Sequence, residues 1–456
     1  MSDIVVKIRE SSLVRPVEKT SPTRSTIPLS DLDQLYYERR STLLYFYNNK
    51  NYNNSSSLAV DDHIHNLKEA LAKTLVLYYP VAGRLSRAEN GGEERLEIKC
   101  NDEGVLFVVG ETKSHIEDLG DFTDSSLLIS NLIPPTPDYS AGISSFPLFV
   151  FQVTYFGCGG VCLSVGGEHL AFDGHSAINF IKSWSEIFRG QPNTITPYFD
   201  RTLLNPRNPP KIMFDHTKEY QLPNQPKLSI VDEQNFKVVI LKVTKDQLNK
   251  LKNKAKELVN NKHFSTFCIM SGLIWKCACI ARALPKNQET KLFFNVDGRS
   301  RLQPPLPRGY FGNVVFEGMA EALAGDLQSK PLWYAVSLVH ESLMRRDDDY
   351  LRSVIDFFKV NPNTKRHRLE VQCRCPNFAI NSWTSFALDE ADFGWGLPLG
   401  ICGITINEGR ASIYDDIPKN GNLCVHISLQ THHIKEIESI FMRVLEQSCS
   451  DNKIIY

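Results

Sequence analysis

This sequence predicts a mixed α/β fold, and three observations carry the prediction. Short apolar or alternating runs, the pattern of strands, recur from one end of the chain to the other. Between them apolar residues fall three and four apart, as on one face of a helix. A proline-dense stretch separates an early block of such elements from a later one.

Strands are expected at Val105 to Val109, Leu148 to Val153, Val238 to Leu241 and Cys424 to Ile427. Ile64, Leu67, Leu71 and Leu75 make an amphipathic helix running toward Tyr79-Pro80. Ile178, Ile181, Trp184 and Phe188 make another, and Gly190 suits its stop. Further helices are expected at about 245–258, 266–282, 331–345 and 434–447. Residues 191–226 hold Pro192, Pro197, Pro206, Pro209, Pro210, Pro223 and Pro226, a density that excludes a long helix or a central strand. The expected organisation is an N-terminal half (1–190), a crossover linker (191–226) lying ordered across a surface, and a C-terminal half (227–456).

The 456 residues are 42% apolar and 23% charged, with a formal net charge of −1, which leaves no basic field for nucleic acid. The short basic run Lys365-Arg366-His367-Arg368 reads as a solvated loop. Eleven cysteines are scattered, several in apolar runs, as expected of reduced, buried thiols in a cytoplasmic protein. Cys277-Ala278-Cys279 and Cys373-Arg374-Cys375 lack the paired clusters of a zinc site, so no metal is expected. Met1-Ser2-Asp3-Ile4 opens no secretory leader, and no apolar run reaches membrane-spanning length.

Two motifs carry chemistry. His169-Leu170-Ala171-Phe172-Asp173-Gly174 puts an imidazole and a carboxylate four residues apart, after an apolar strand and before a helix over 175–189. Such a junction exposes a side chain without fraying its neighbours, and a histidine held there can take a proton from an attacking alcohol or amine. Asp173 could fix the tautomer of His169, or turn away and brace the loop by pairing with Arg299 or Arg301; the second is favoured, since Asp173-Gly174 reads as a turn. A metal-ligand reading of His169 and Asp173 would need a third ligand, and no His-Glu-x-x-His pattern exists. Far downstream, Asp392-Phe393-Gly394-Trp395-Gly396 joins an acid, two aromatic rings and two glycines.

Together these residues resemble the plant BAHD family of acyl-CoA-dependent acyltransferases over nearly the whole chain. Tyr79 to Leu85 looks like the family's early signature, His169 to Gly174 its HxxxDG, and Asp392 to Gly396 its DFGWG. Asn295 to Arg301, Pro304 to Asn313, and Cys375-Pro376-Asn377 leading to Ser382-Trp383 are also similar to the family's. The resemblance implies two similar chloramphenicol-acetyltransferase-like halves joined by a long crossover loop, with a tunnel between them where acyl-CoA and acceptor meet. It implies a monomer with no cofactor, acyl-CoA being a co-substrate, and no nucleic-acid, membrane or obligate protein partner. His169 would be the general base, with Trp383 a candidate oxyanion donor through its indole N–H. DFGWG would be structural, with Asp173 and Asp392 each taking one of Arg299 and Arg301. Glu168 stands where many members have a second histidine; it would raise the pKa of His169, hold a cationic acceptor, or pair with an arginine.

The pattern, including Gly142 to Pro147, looks most like the hydroxycinnamoyltransferase branch, which implies a hydroxycinnamoyl or benzoyl donor. Arg368 lies where shikimate- and quinate-using members carry the arginine that grips the acceptor carboxylate. Asn381-Ser382-Trp383 replaces their Thr-Ser-Trp, which keeps aromatic amines and polyamines open as acceptors. A condensation-domain-like protein and an inactive small-molecule-binding relative are the alternatives to an enzyme of this kind.

Overall fold

A computed structural model describes residues 4–36, 39–48, 57–88, 95–119, 130–136, 139–220, 235–259, 262–362, 372–403, 408–417 and 419–449. They form two compact units. The first comprises Met1–Asn208 with Gln303–Val314 and Phe386–Ile404; the second comprises Pro209–Leu302, Val315–Ser385 and Thr405–Tyr456. The division differs from the expected one in two respects. It falls at 208/209, inside the proline-rich stretch, and two downstream segments join the first unit, so DFGWG lies there and not in a C-terminal half.

In the first unit, β1 (Lys7–Val14), β3 (Arg40–Tyr47), β6 (Val105–Thr112), β7 (Phe149–Phe156) and β8 (Val161–Glu168) form a sheet with the short β13 (Gly400–Gly403). The order is β1-β6-β7-β8-β3-β13, antiparallel except for the β6/β7 pair. A small second sheet joins β2 (Thr26–Pro28), β4 (Arg84–Arg87) and β5 (Leu96–Lys99). β7 and β8 are buried at every position, hence their near-continuous apolar sequence. The helix Ser57–Leu77 turns Leu67, Leu71 and Leu75 fully inward. The helix Gly174–Phe188 buries Ile178, Ile181 and Trp184, and the Trp184 indole donates to the Leu67 carbonyl at 3.0 Å, tying the two helices together. Gly190, at φ +65°, follows as the sequence predicts.

The second unit is built on a sheet of β9 (Phe236–Val243), β10 (Glu289–Asp297), β11 (Val315–Leu323), β12 (Phe378–Ser382), β14 (Arg410–Asp415) and β15 (Leu423–Gln430), in the order β11-β10-β12-β14-β15-β9. Its longer helices are Lys245–Leu258, Thr266–Ala281, Leu332–Met344 and Thr431–Cys449, close to the four expected, and Asp348–Val360, which was not expected. Thr244 and Ser265 start the first two as side-chain N-caps. The described part of the crossover holds no helix longer than four residues. Its portion in the second unit is pinned to the helix Asp348–Val360: Ser353 Oγ accepts from the Met213 and Phe214 amides and meets His216 Nε2 at 2.8 Å, while Asp356 accepts from the Lys211 amide.

Candidate active site

β8 ends at Glu168, one 3₁₀ turn follows over His169–Ala171, and Asp173 caps the helix Gly174–Phe188. The His169 amide donates to the Arg39 carbonyl at 2.8 Å, which fixes the turn. The imidazole is half-buried and lies flat against Tyr36, with ring centroids 4.0 Å apart and planes 6° from parallel. Its Nδ1 meets Asn313 Oδ1 at 3.1 Å. Burial pulls the pKa of His169 below the ordinary histidine value; hydrogen bonds to its own backbone and to Asn313, and the charge of Asp173, oppose that shift without reversing it. The shift favours the neutral ring, and among the described residues no protein group engages Nε2.

Asn313 is completely buried. Its Nδ2 donates to Asp33 Oδ1 (2.9 Å) and to the carbonyls of His169 (2.9 Å) and Leu170 (3.3 Å). Asp33, also fully buried, closes a capping box with Ser30 and pairs with Arg201 Nε at 2.9 Å. Burial works against the Arg201 charge, but Asp33, Tyr310 and Asp173 together more than compensate, and the guanidinium pKa lies above its usual value.

Sequence reasoning gave Asn313 no role beyond membership of a signature and missed Asp33, Tyr36 and Arg201. The one local signal was Ser30 followed three residues on by an acid, the start of a capping box.

Asp173 braces the loop through a contact that the sequence reading, which favoured a pair with Arg299 or Arg301, did not include. It is a helix N-cap: Oδ1 accepts from the Ser176 amide at 3.0 Å, Oδ2 from the Val314 amide at 3.1 Å, and Gly174 is the first helical residue. Glu168 is buried against Arg40, whose Nε lies 3.3 Å away, and accepts from the Tyr139 hydroxyl at 2.9 Å. That is the arginine-paired reading. Burial pushes this carboxyl up to about 7, against the pull of Arg40 and Tyr139, and the expectation that Glu168 raises the pKa of His169 gives way to a net downward shift there.

Asp392 does not take Arg299 or Arg301. Its Oδ1 accepts from the amides of Gly394 (2.9 Å) and Gly396 (3.0 Å), both at positive φ, and its guanidinium partner is Arg189 at 3.8 Å. The turn drives Phe393 and Trp395 inward against Trp184, Tyr47 and His63. Arg299 binds Asp297 within the second unit (3.2 Å), and Arg301 donates to the carbonyls of Leu343 and Arg346, at the end of the helix Leu332–Met344. In that unit Trp383 stacks parallel to Tyr414 at 6.2 Å, and the amides of Asn381 and Asn295 meet at 2.9 Å. Arg368 lies outside the described residues.

A neutral imidazole with one nitrogen engaged and the other carrying a lone pair is equipped to accept a proton. Comparison with known proteins places the chain in a family. The chain matches the Transferase family model over residues 4–443. It is 43% identical over 444 residues to the shikimate O-hydroxycinnamoyltransferase of Nicotiana tabacum, covering 95% of this chain and 98% of that one. It is 37% identical over 460 residues to a hydroxycinnamoyl-CoA:5-hydroxyanthranilate N-hydroxycinnamoyltransferase of Avena sativa, covering 97% and 100%. The crystal structure of vinorine synthase shares the fold, with a TM-score of 0.71 at 21% identity over 96% of this chain and 98% of that one. The chain belongs to the Transferase family, the BAHD acyltransferases, and is an acyl-CoA-dependent acyltransferase.

Proposed function

We propose that this enzyme transfers a hydroxycinnamoyl or benzoyl group from its CoA thioester to a hydroxyl or amine of a small carboxylate-bearing acceptor, with His169 as general base. The observation that carries the reading is the pairing of His169 Nδ1 with Asn313, which leaves Nε2 as the basic nitrogen of a ring kept neutral by burial. Nε2 takes the proton as the acceptor oxygen or nitrogen attacks the thioester carbonyl. The tetrahedral intermediate collapses, the C–S bond breaks, and the CoA thiolate leaves and is reprotonated. Such a base contributes roughly 10²–10⁴ in rate. Trp383 serves as an oxyanion donor through its indole N–H, and Arg368 grips the acceptor carboxylate.

The hydroxycinnamoyl donor draws on the names of the two relatives, which also span O- and N-acylation; shikimate and 5-hydroxyanthranilate both carry a carboxylate. Among the described residues no helix is long and apolar enough to cross a membrane. The eleven cysteines are present as thiols, which supports a reducing, cytoplasmic setting. The test is a mass-spectrometric screen of coumaroyl-CoA against shikimate, quinate, anthranilate, spermidine and aliphatic alcohols. Product is expected with the carboxylate-bearing acceptors, lost in His169→Ala and selectively weakened in Arg368→Ala. Full activity in a folded His169→Ala protein sinks the general-base assignment.

A further inference from the structure

The groups behind the imidazole form a chain that ends in a buried ion pair. Asp33 accepts five hydrogen bonds. Oδ1 takes the Asn313 amide (2.8 Å) and Asn313 Nδ2 (2.9 Å); Oδ2 takes the Ser30 amide (2.9 Å), Ser30 Oγ (2.8 Å) and Arg201 Nε (2.9 Å). Only an ionised carboxylate, which accepts on both oxygens and donates from neither, satisfies that set. Arg201 holds the other end. Beyond Asp33 it donates to the Phe311 carbonyl and to the Ala171 carbonyl (3.2 Å), one two residues before Asn313 and the other two after His169. Ser176 adds a second stitch, its hydroxyl lying 3.0 Å from the Gly312 amide and 3.2 Å from the Gly312 carbonyl. Gly312 is required by this packing, since a Cβ there would lie 2.4 Å from Arg201 Cζ.

These contacts fix the Asn313 amide. Its Nδ2 faces one carboxylate and two carbonyls, so rotating the amide by half a turn would set its oxygen against three acceptors. Oδ1 must then face His169, and an oxygen acceptor at Nδ1 requires Nδ1 to carry the proton.

We infer that Asp33 is a positioning residue for the transfer: anchored by Arg201, it locks Asn313, and Asn313 locks His169 as the Nδ1–H tautomer with Nε2 bare. The inference deepens the reading of His169 as the base and rests on it. It also accounts for an amide at position 313. A carboxylate there would orient the ring equally well, but it would stabilise the imidazolium and face the Asp33 charge at hydrogen-bond distance.

The full-length protein labelled with ¹⁵N-histidine reads the tautomer directly. The His169 signals, identified by their loss in His169→Gln, should show a protonated, pyrrole-like Nδ1 and a pyridine-like Nε2 at pH 8. Asn313→Leu should shift them toward the Nε2–H form and lower kcat for coumaroyl-CoA with shikimate by roughly 10²-fold, the contribution of a positioned base, with KM little changed. Asp33→Asn should move both readouts the same way. If that variant does not fold by circular dichroism, the wild-type spectrum and Asn313→Leu carry the test. An Nε2–H signal in the wild type, or an unchanged tautomer in Asn313→Leu, overturns the positioning role. Undiminished activity of His169→Gln would instead overturn the base assignment and leave the tautomer result standing.

Discussion

His169 is stacked on Tyr36, hydrogen-bonded at Nδ1 and desolvated; in the proposed mechanism the first two hold the ring in place and the desolvation favours its neutral, proton-accepting form. A base is active when unprotonated, so kcat/KM should rise with pH through the His169 pKa and then level off. Because burial lowers that pKa, the acid limb of a pH–rate profile should have its midpoint below the ordinary histidine value, leaving a plateau across neutral pH; a midpoint at or above that value contradicts the assignment. Glu168, next along the chain, titrates in the opposite sense. Its folded pKa is raised to about 7, so the folded state binds a proton that the unfolded chain releases near the ordinary carboxylate value. Stability linked to this group therefore falls as pH rises from about 4.5 to about 7 and is constant above. Glu168→Gln cannot titrate. The melting temperature of the variant minus that of the wild type should accordingly increase between pH 5 and pH 8, whatever the constant offset from losing the Arg40 pair. A difference independent of pH would show that Glu168 is ionised throughout.

The element carrying Asp392 works by backbone geometry more than by charge. The carboxylate ties down two glycine amides, which sets the turn that buries Phe393 and Trp395. The Arg189 pair is long and partly exposed, so it adds little. Asp392→Ala should therefore cost about 1–3 kcal/mol, the net contribution of two hydrogen bonds to amides that water can reach, less than the roughly 3–5 kcal/mol of a broken buried ion pair. Denaturant titration of Asp392→Ala beside Arg189→Ala separates the two, and equal losses would restore the ion pair to importance.

Elements of this kind divide what the sequence makes legible from what it does not. The helices Ser57–Leu77 and Gly174–Phe188 and strands β6 to β8 were readable because periodicity and burial agree along a continuous stretch. The candidate site was readable because His169 sits on the junction its flanking elements announce. Asn313 and Asp33 were not, since they reach His169 across 144 and, from each other, 280 residues of chain, and no local pattern encodes such a meeting. The partner of Asp392 was misassigned for the same reason: acidic and basic residues can be counted in a sequence, but their pairing is settled by packing.

At the scale of the whole molecule, the first unit is assembled from three separated pieces of chain, and this makes it inseparable at the crossover. Residues 1–208 alone would lack Gln303–Val314 and Phe386–Ile404. Without the second of these, β3 loses its β13 partner and presents an open edge from Leu43 to Phe46, three of whose four residues are almost fully buried in the native unit. Trp184 and Phe188 lose the ring of Phe393, and Tyr47 and His63 lose that of Trp395. Without the first, Asp33 loses both Asn313 donors and Arg201 loses the Phe311 carbonyl, leaving a buried ion pair half satisfied. A fragment of residues 1–208 should keep the far-ultraviolet signature of its helices and β6 to β8, whose contacts are internal to it. It should lack near-ultraviolet aromatic signal, bind a hydrophobic dye and melt without a cooperative transition. Joining residues 303–314 and 386–404 to that fragment through flexible linkers supplies every missing contact and should restore cooperative melting. A sharp transition in the bare fragment would mean that the downstream segments ornament the unit without completing its core.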